Sequence, residues 1–179
     1  MVKEIIEVPE GIEFKIKNNS IIIKGREGSV EKIFRKDIKA SGEGKKIILE
    51  KSGESKRERK LVLSLKSHLE NVIEGVQKRF VYKLQICYVH FPMNVSIDKN
   101  NHELIIKNFL GEKKDRKAKI LPNTDAKIEG DIIYVESPDI EAAGQTAANM
   151  ETSTRIKARD RRIFQDGIWI TEKPGEAKE

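Results

Sequence analysis

The sequence predicts an α+β fold made of two tandem homologous units, each an antiparallel-rich β-sheet packed against one α-helix. One observation is a weak internal repeat, in which Pro9 aligns with Pro92 and Ile22-Ile23-Lys24 with Ile105-Ile106-Lys107, 83 positions apart in both cases. A second is that the N-terminal part of each copy shows strand-like alternation and the C-terminal part shows a helical pattern. The repeat therefore predicts a first unit over residues 1-80 and a second over residues 81-179.

The first copy contains four candidate strands and a helix. Apolar and charged residues alternate over residues 12–16, and further strand patterns follow at residues 21–24, 30–35 and 46–50. Ser55 and Glu58 have the spacing of a capping box, which predicts that a helix begins there. Its apolar positions recur at helical spacing and predict one face seated on the sheet: Leu61, Leu65, Leu69, Val72 and Val76.

The second copy repeats this order. Strands are predicted at residues 81–91, 94–98, 103–108, 113–120, 126–129 and 132–136. Ser137 as the cap and Pro138 at the first helical position predict the start of a second helix. Ile140, Ala143, Ala147 and Met150 give this helix a narrow apolar edge.

Composition excludes secreted and membrane-spanning proteins. Of the 179 residues, 37% are hydrophobic and 36% are charged, and no apolar run approaches a membrane span of roughly 18 residues. The first residues do not resemble a secretory signal. The single cysteine, Cys87, cannot close an intramolecular disulfide, so a reducing intracellular environment is expected.

The distribution of charge predicts a polyanionic partner. The formal net charge is +6, and residues 1–80 carry all of it, with 19 basic against 13 acidic side chains. Residues 81–179 are neutral, yet they hold the densest basic clusters, at residues 113–119 and 155–162. A surface segregated by sign can attract a polyanion although its domain is neutral. A solvated charged face remains the alternative at this point.

No constellation typical of an enzyme is present. His68, His90 and His102 are scattered, and Cys87 has no second cysteine at metal-binding spacing. No carboxylate lies in an apolar stretch that would shift its pKa for acid-base catalysis. The sequence thus predicts no catalytic residue, metal site, cofactor or small-molecule substrate.

Two segments favour RNA binding. Residues 107–114 combine a glycine turn and an apolar tip with paired lysines, which could set backbone amides and cations against phosphates. The alternative is a hairpin in which Phe109 and Leu110 simply pack. In the second segment, five cations lie within residues 155–162, and arginine binds phosphate in a bidentate manner. Trp169 follows, where it could stack on a base or occupy a half-buried edge position.

Three motifs carry a family resemblance. Residues 91–95, residues 108–113 and above all residues 159–173 closely resemble the large-subunit ribosomal protein L6 family, in its archaeal and eukaryotic branch. The similarity extends over almost the whole chain. Two positions depart from that branch, because Trp169 stands where tyrosine is usual and Thr152 where glutamine is usual.

The resemblance implies a ribosomal role without catalysis. It implies two homologous α+β domains, binding to large-subunit rRNA mainly through the second domain, and a place near the sarcin-ricin loop and the translation-factor site. Neighbouring ribosomal proteins and nearby translation factors would be partners on the cytoplasmic ribosome, and no membrane is involved. A non-ribosomal RNA-binding module with the same basic faces is the alternative.

The candidate rRNA-binding residues neutralise phosphates or permit close approach to them. They are Lys107, Asn108, Gly111, Lys113, Lys114, Arg116, Arg155, Lys157, Arg159, Arg161, Arg162 and Lys173.

Overall fold

The chain divides into two compact units. The computed structural model describes residues 2–53, 55–160 and 162–175, and its contacts separate Met1–Arg79 from Phe80–Glu179. This division lies one residue before the predicted boundary. Each unit combines antiparallel strands with one long helix, which confirms the predicted α+β class.

The first unit contains six strands and one helix. They are β1 (Val2–Glu7), β2 (Glu13–Lys17), β3 (Ser20–Gly25), β4 (Gly28–Ile33), β5 (Lys39–Glu43), β6 (Lys46–Lys51) and α1 (Lys56–Gln77). The strands form two antiparallel sheets, ordered β1-β6-β5 and β2-β3-β4. The sequence does not predict β1 or β5. Apolar and polar residues do not alternate in the sequence of β1, although its burial does, and β5 is rich in small and charged residues.

The capping box predicted at the start of α1 is confirmed. The Ser55 hydroxyl accepts a hydrogen bond from the Glu58 amide at 3.3 Å, and the Glu58 carboxylate accepts one from the Ser55 amide at 3.0 Å. Two backbone donors at the helix start are thereby satisfied. Farther along, the buried face of α1 includes Leu65, Leu69 and Val76 and packs into the core of the first unit.

The second unit repeats the topology of the first and adds one strand. Its elements are β7 (Phe80–Cys87), β8 (Asn94–Asp98), β9 (Glu103–Lys107), a single 3₁₀ turn (Phe109–Gly111), β10 (Arg116–Lys119), β11 (Asp125–Glu129), β12 (Ile132–Ser137), α2 (Ile140–Ser153) and β13 (Gly167–Glu172). The sheets are ordered β11-β12-β7-β13 and β10-β9-β8. With β13 set aside, the order of pairing matches that of the first unit, as expected of an internal duplication.

The predicted cap of α2 was wrong. Asp139 is the N-cap, and its side chain accepts a hydrogen bond from the Glu141 amide at 3.0 Å. Ser137 is still the last residue of β12, where it pairs with Phe80. Its hydroxyl donates to the Asn123 carbonyl oxygen at 2.8 Å and accepts from the Asp139 amide at 3.1 Å. Strand pairing thus delays the helix beyond Pro138.

Two strands of the second unit, β7 and β10, are shorter than predicted. β7 ends at Cys87, four residues before the predicted end at residue 91, and β10 covers only Arg116–Lys119 of the predicted 113–120. β13 had not been predicted as a strand. It pairs antiparallel with β7, placing the fully buried Ile168 opposite Ile86.

Candidate RNA-binding surface

The loop between β9 and β10 has a fixed and unusual backbone. Asn108, Leu110 and Gly111 have positive φ angles of 59°, 49° and 79°, a conformation that favours glycine and, after it, asparagine. The Asn108 side-chain amide donates to the Pro92 carbonyl oxygen at 2.9 Å. Phe109 and Leu110 are buried, so the apolar tip packs into the protein, as the alternative interpretation held. The loop presents its flanking lysines instead.

Arg116 joins the two basic segments. One guanidinium nitrogen donates to the backbone carbonyl oxygens of Ser153 and Arg155, at 2.9 and 3.1 Å. The other two donate to the two Glu112 carboxylate oxygens, at 2.8 and 2.6 Å. The guanidinium carbon also lies 4.2 Å from the centre of the Phe109 ring. Arg116 therefore holds the β9–β10 loop against the last turn of α2, where free carbonyl groups favour a cation.

This contact of the β9–β10 loop with the end of α2, which we call the Arg116 joint, includes the ion pair between Arg116 and Glu112. The hydrogen bond from Arg116 lowers the pKa of Glu112 below its usual value, more than partial burial raises it, and the charges of Arg116 and Arg159 lower it further. Glu112 consequently stays ionised and neutralises Arg116. The guanidinium is occupied within the protein, so we assign Arg116 a positioning role.

A basic cleft lies where the two segments meet. Its volume is about 420 Å³. Lys114 and Arg116 line it from the β9–β10 side, and Arg155 and Lys157 line it from the segment that follows α2. Two carboxylates also line the cleft, and each is paired with a cation: Glu112 with Arg116 and Asp115 with Lys107. Residues some 40 positions apart in the sequence thus contribute cations to one surface.

The predicted cations differ in whether the protein already neutralises them. Lys107 lies 4.0 Å from Asp115, and Arg162 lies 3.0 Å from Asp160. Among the predicted cations that lie within residues 2–53, 55–160 and 162–175, five are exposed and have no ion-pair partner: Lys113, Lys114, Arg155, Lys157 and Arg159. Lys173 is exposed directly after β13, and Arg161 lies outside the described residues. The unpaired cations are the ones available to an external anion.

Sequence reasoning missed a buried carboxylate that anchors the basic segment. Asp166 is only 2% exposed. It accepts hydrogen bonds from the backbone amides of Val89 and His90 at 2.6 and 3.1 Å, and its other oxygen lies 2.7 Å from His90 Nδ1. Burial raises the pKa of Asp166, but these hydrogen bonds together outweigh burial and the net pKa is lowered. In the sequence, Asp166 followed by Gly167 is typical of a turn, and only the packing shows that this carboxylate is buried.

The same anchor orders Arg159. The His90 ring packs on Phe164 with ring centres 4.7 Å apart. The guanidinium carbon of Arg159 also lies over the Phe164 ring, 4.9 Å from its centre. A cation held on an aromatic ring keeps its donors directed outward with less loss of side-chain freedom on binding. Asp166, His90 and Phe164 therefore position one of the unpaired cations.

Comparison with known proteins supplies the family. The ribosomal protein L6 family profile matches residues 91–167, which include both basic segments up to Arg162. Over 170 residues, the chain is 44% identical to the large ribosomal subunit protein uL6 of Staphylothermus marinus, covering 93% of this chain and 92% of the relative. The chain belongs to the ribosomal protein L6 family. The same-named proteins of Haloarcula marismortui and Saccharolobus solfataricus are 38% and 42% identical over 94% and 97% of this chain, and 94% and 96% of the relatives.

Membership of the L6 family agrees with the chemistry of the site. The family is structural, so the chain is not an enzyme. Burial raises the pKa of Cys87, as do the nearby charges of Asp131 and Asp166, so the thiol remains protonated and a poor nucleophile. Among the residues that the structure describes, no three metal-binding side chains cluster together. No described helix is long and apolar enough to cross a membrane.

Proposed function

We propose that this L6-family chain is a structural constituent of the large ribosomal subunit in the cytoplasm and binds large-subunit rRNA through its second unit. The observation that carries the proposal is the joint at Arg116, which brings lysines and arginines from both basic segments to one cleft. Three of the cations that line this cleft, Lys114, Arg155 and Lys157, have no ion-pair partner within the described parts of the chain. Their charge is available to phosphate groups.

The proposed mechanism is recognition of a folded RNA backbone. Lys113, Lys114 and Lys157 are exposed point charges, which give salt-dependent affinity with little dependence on base sequence. Arg155 and Arg159 add the planar guanidinium, which can bind one phosphate through two hydrogen bonds. The hydrogen bonds of Asn108 and Arg116 hold the β9–β10 loop that carries two of these lysines, so the shape of the RNA decides the placement.

The proposal extends to the location on the ribosome. From the family resemblance, we place the second unit near the sarcin-ricin loop and the translation-factor site, with neighbouring ribosomal proteins and translation factors around it. Footprinting of assembled large subunits with and without the protein tests this placement. Protection confined to another region of the rRNA would refute it.

The phosphate contacts are tested by removing three lysines together. In a titration against a large-subunit rRNA fragment, Lys113→Gln, Lys114→Gln and Lys157→Gln combined should reduce the slope of log affinity against log salt by about 2 to 3. The matched control replaces Lys36, Lys56 and Lys60 of the first unit, which are equally exposed, and should leave the slope near that of the unaltered chain. Equal slopes for both triple variants would remove the three lysines from the interface.

The alternative, a non-ribosomal RNA-binding module, predicts different behaviour in cells. A structural constituent should cosediment with large subunits and remain bound at moderate salt, because many contacts hold it. A module that visits RNA transiently should dissociate under those conditions. Loss from the subunit peak at moderate salt would favour the alternative.

A further inference from the structure

A second cleft adjoins the basic one. It lies between the end of α2 and β13, has a volume of about 340 Å³, and is lined by Glu151, Arg155, Phe164 and Trp169 among others. Thr152 and Arg155 line both clefts. The second cleft therefore opens beside the cations that we assign to phosphate binding, and it falls within the size range of pockets that take small organic groups.

Two aromatic rings in this cleft are held in place. Trp169 is 38% exposed, and its indole nitrogen donates to the Gln165 carbonyl oxygen at 3.2 Å. The indole packs close to Gly167, only 3.5 Å from where a Cβ atom would lie there. Phe164 is fixed by the His90 ring. An exposed aromatic ring whose orientation is already set is a stacking platform for a planar group, since little side-chain entropy is lost on binding.

The polar groups of the cleft are a cation and an acceptor. Arg155 is exposed and forms no ion pair within the described chain, so it can bind the phosphate of a nucleotide whose base enters the cleft. One Glu151 oxygen accepts weakly from the Ile170 amide at 3.4 Å. Among the described residues, none donates to the second oxygen, which can accept from a ligand. A carboxylate acceptor suits a base that carries an exocyclic amino group.

We propose that this cleft binds one unpaired nucleobase carrying an exocyclic amino group, stacked on Trp169, with its amino group directed to Glu151 and its phosphate on Arg155. This inference rests on the proposed RNA-binding function and adds a base-specific subsite to it. Phosphate contacts alone position an RNA, whereas a stacked and hydrogen-bonded base distinguishes among single-stranded sequences.

Trp169 is the only tryptophan of the chain, so its fluorescence reports directly on the subsite. The probes are an adenosine hexanucleotide, a uridine hexanucleotide, and an abasic hexanucleotide with the same phosphates, each titrated into the full chain at low salt. The adenosine hexamer should quench the tryptophan emission and bind about 10-fold more tightly than the abasic hexamer, the increment typical of one stacked base. The uridine hexamer should bind more weakly than the adenosine hexamer.

Variants separate stacking from folding. Trp169→Ala should bring the affinity for the adenosine hexamer down to that for the abasic one, whereas Trp169→Phe should retain most of the difference. Glu151→Gln keeps an acceptor for the Ile170 amide but loses the carboxylate, so the preference for adenosine over uridine should shrink. Thermal unfolding of each variant identifies any that fails to fold. The hexamer titrations of the unaltered chain test the base subsite without any variant.

The outcomes distinguish the subsite from the wider function. Equal affinity for adenosine and abasic hexamers, or emission unchanged at saturation, overturns the base subsite and leaves the phosphate surface standing. Tighter binding of uridine than adenosine also overturns the proposal as stated. Failure of all three hexamers to bind at low salt overturns the subsite and the proposed RNA-binding surface together.

Discussion

Replacing Arg116 with methionine should destabilise the second unit by about 2 kcal/mol. The substitution keeps an apolar stem over Phe109 but removes both hydrogen bonds to the Ser153 and Arg155 carbonyl oxygens, each contributing about 1 kcal/mol. It also removes the half-exposed ion pair with Glu112, a contribution of about 0.5 kcal/mol at such exposure, and the cation over the Phe109 ring, of about 0.5 kcal/mol. Both hydrogen bonds come from the same guanidinium nitrogen, so their contributions are not additive, and the expected total is about 2 kcal/mol.

Urea unfolding followed by the emission of Trp169 measures this effect in the second unit of the intact chain. For a slope of roughly 2 kcal/mol per M, the midpoint should fall by about 1 M. The matched control is Lys117→Met on the same strand. Lys117 is exposed, and its ion pair within the described residues is the cross-strand pair with Glu103. Its midpoint should stay close to that of the unaltered chain. Equal midpoints for the two variants would refute the conclusion that Arg116 holds the β9–β10 loop against the end of α2.

RNA binding gives a second, independent check on Arg116. If Arg116 positions other residues, Arg116→Met weakens the binding of the rRNA fragment without lowering the salt dependence. If Arg116 contacts a phosphate directly, the slope falls by about 1. Arg116→Lys retains the charge but not the planar fork, so it should resemble Arg116→Met in stability. A full rescue by lysine would contradict the hydrogen-bonding geometry.

Two further predictions concern the anchors of the surface. Asp166→Asn should reduce the free energy of unfolding at neutral pH by about 1 to 3 kcal/mol and lower the urea midpoint accordingly. The reason is that the amide satisfies the backbone donors of Val89 and His90 less well than the carboxylate does. Since the pKa of Asp166 is lowered in the folded state, its contribution is present above the pKa of an unfolded aspartate, about 3.9, and is lost as the pH falls through the lowered folded value. The midpoints of the unaltered chain and the variant should therefore converge in acid; a gap that is constant with pH would contradict this. Gly111→Ala should reduce the free energy of unfolding by roughly 1 to 2 kcal/mol, because the φ of residue 111 is 79°, and Gly111→Asn should reduce it less. Equal stability of the unaltered chain and both variants would show that the loop relaxes.

Local patterns in the sequence carried much of the fold. The alternation over residues 12–16 and the capping box of Ser55 and Glu58 depend on neighbours in the chain, and the structure confirms both. The cap of α2 could not be predicted in the same way, because Ser137 pairs with Phe80, a residue distant in the sequence. β13 was missed for a similar reason, since its partner strand β7 lies some 80 residues earlier.

The candidate site shows the same division. The sequence alone determined the family, the two basic segments and the residues that could neutralise phosphate, because charge and motif spacing are properties of the chain. Only the tertiary structure decided which cations remain available. Arg116 is occupied by Glu112 and two carbonyl oxygens, whereas Lys114 and Arg155 are left unpaired at one cleft. Ion pairs and clefts form between distant residues, so their existence depends on the packing that brings those residues together.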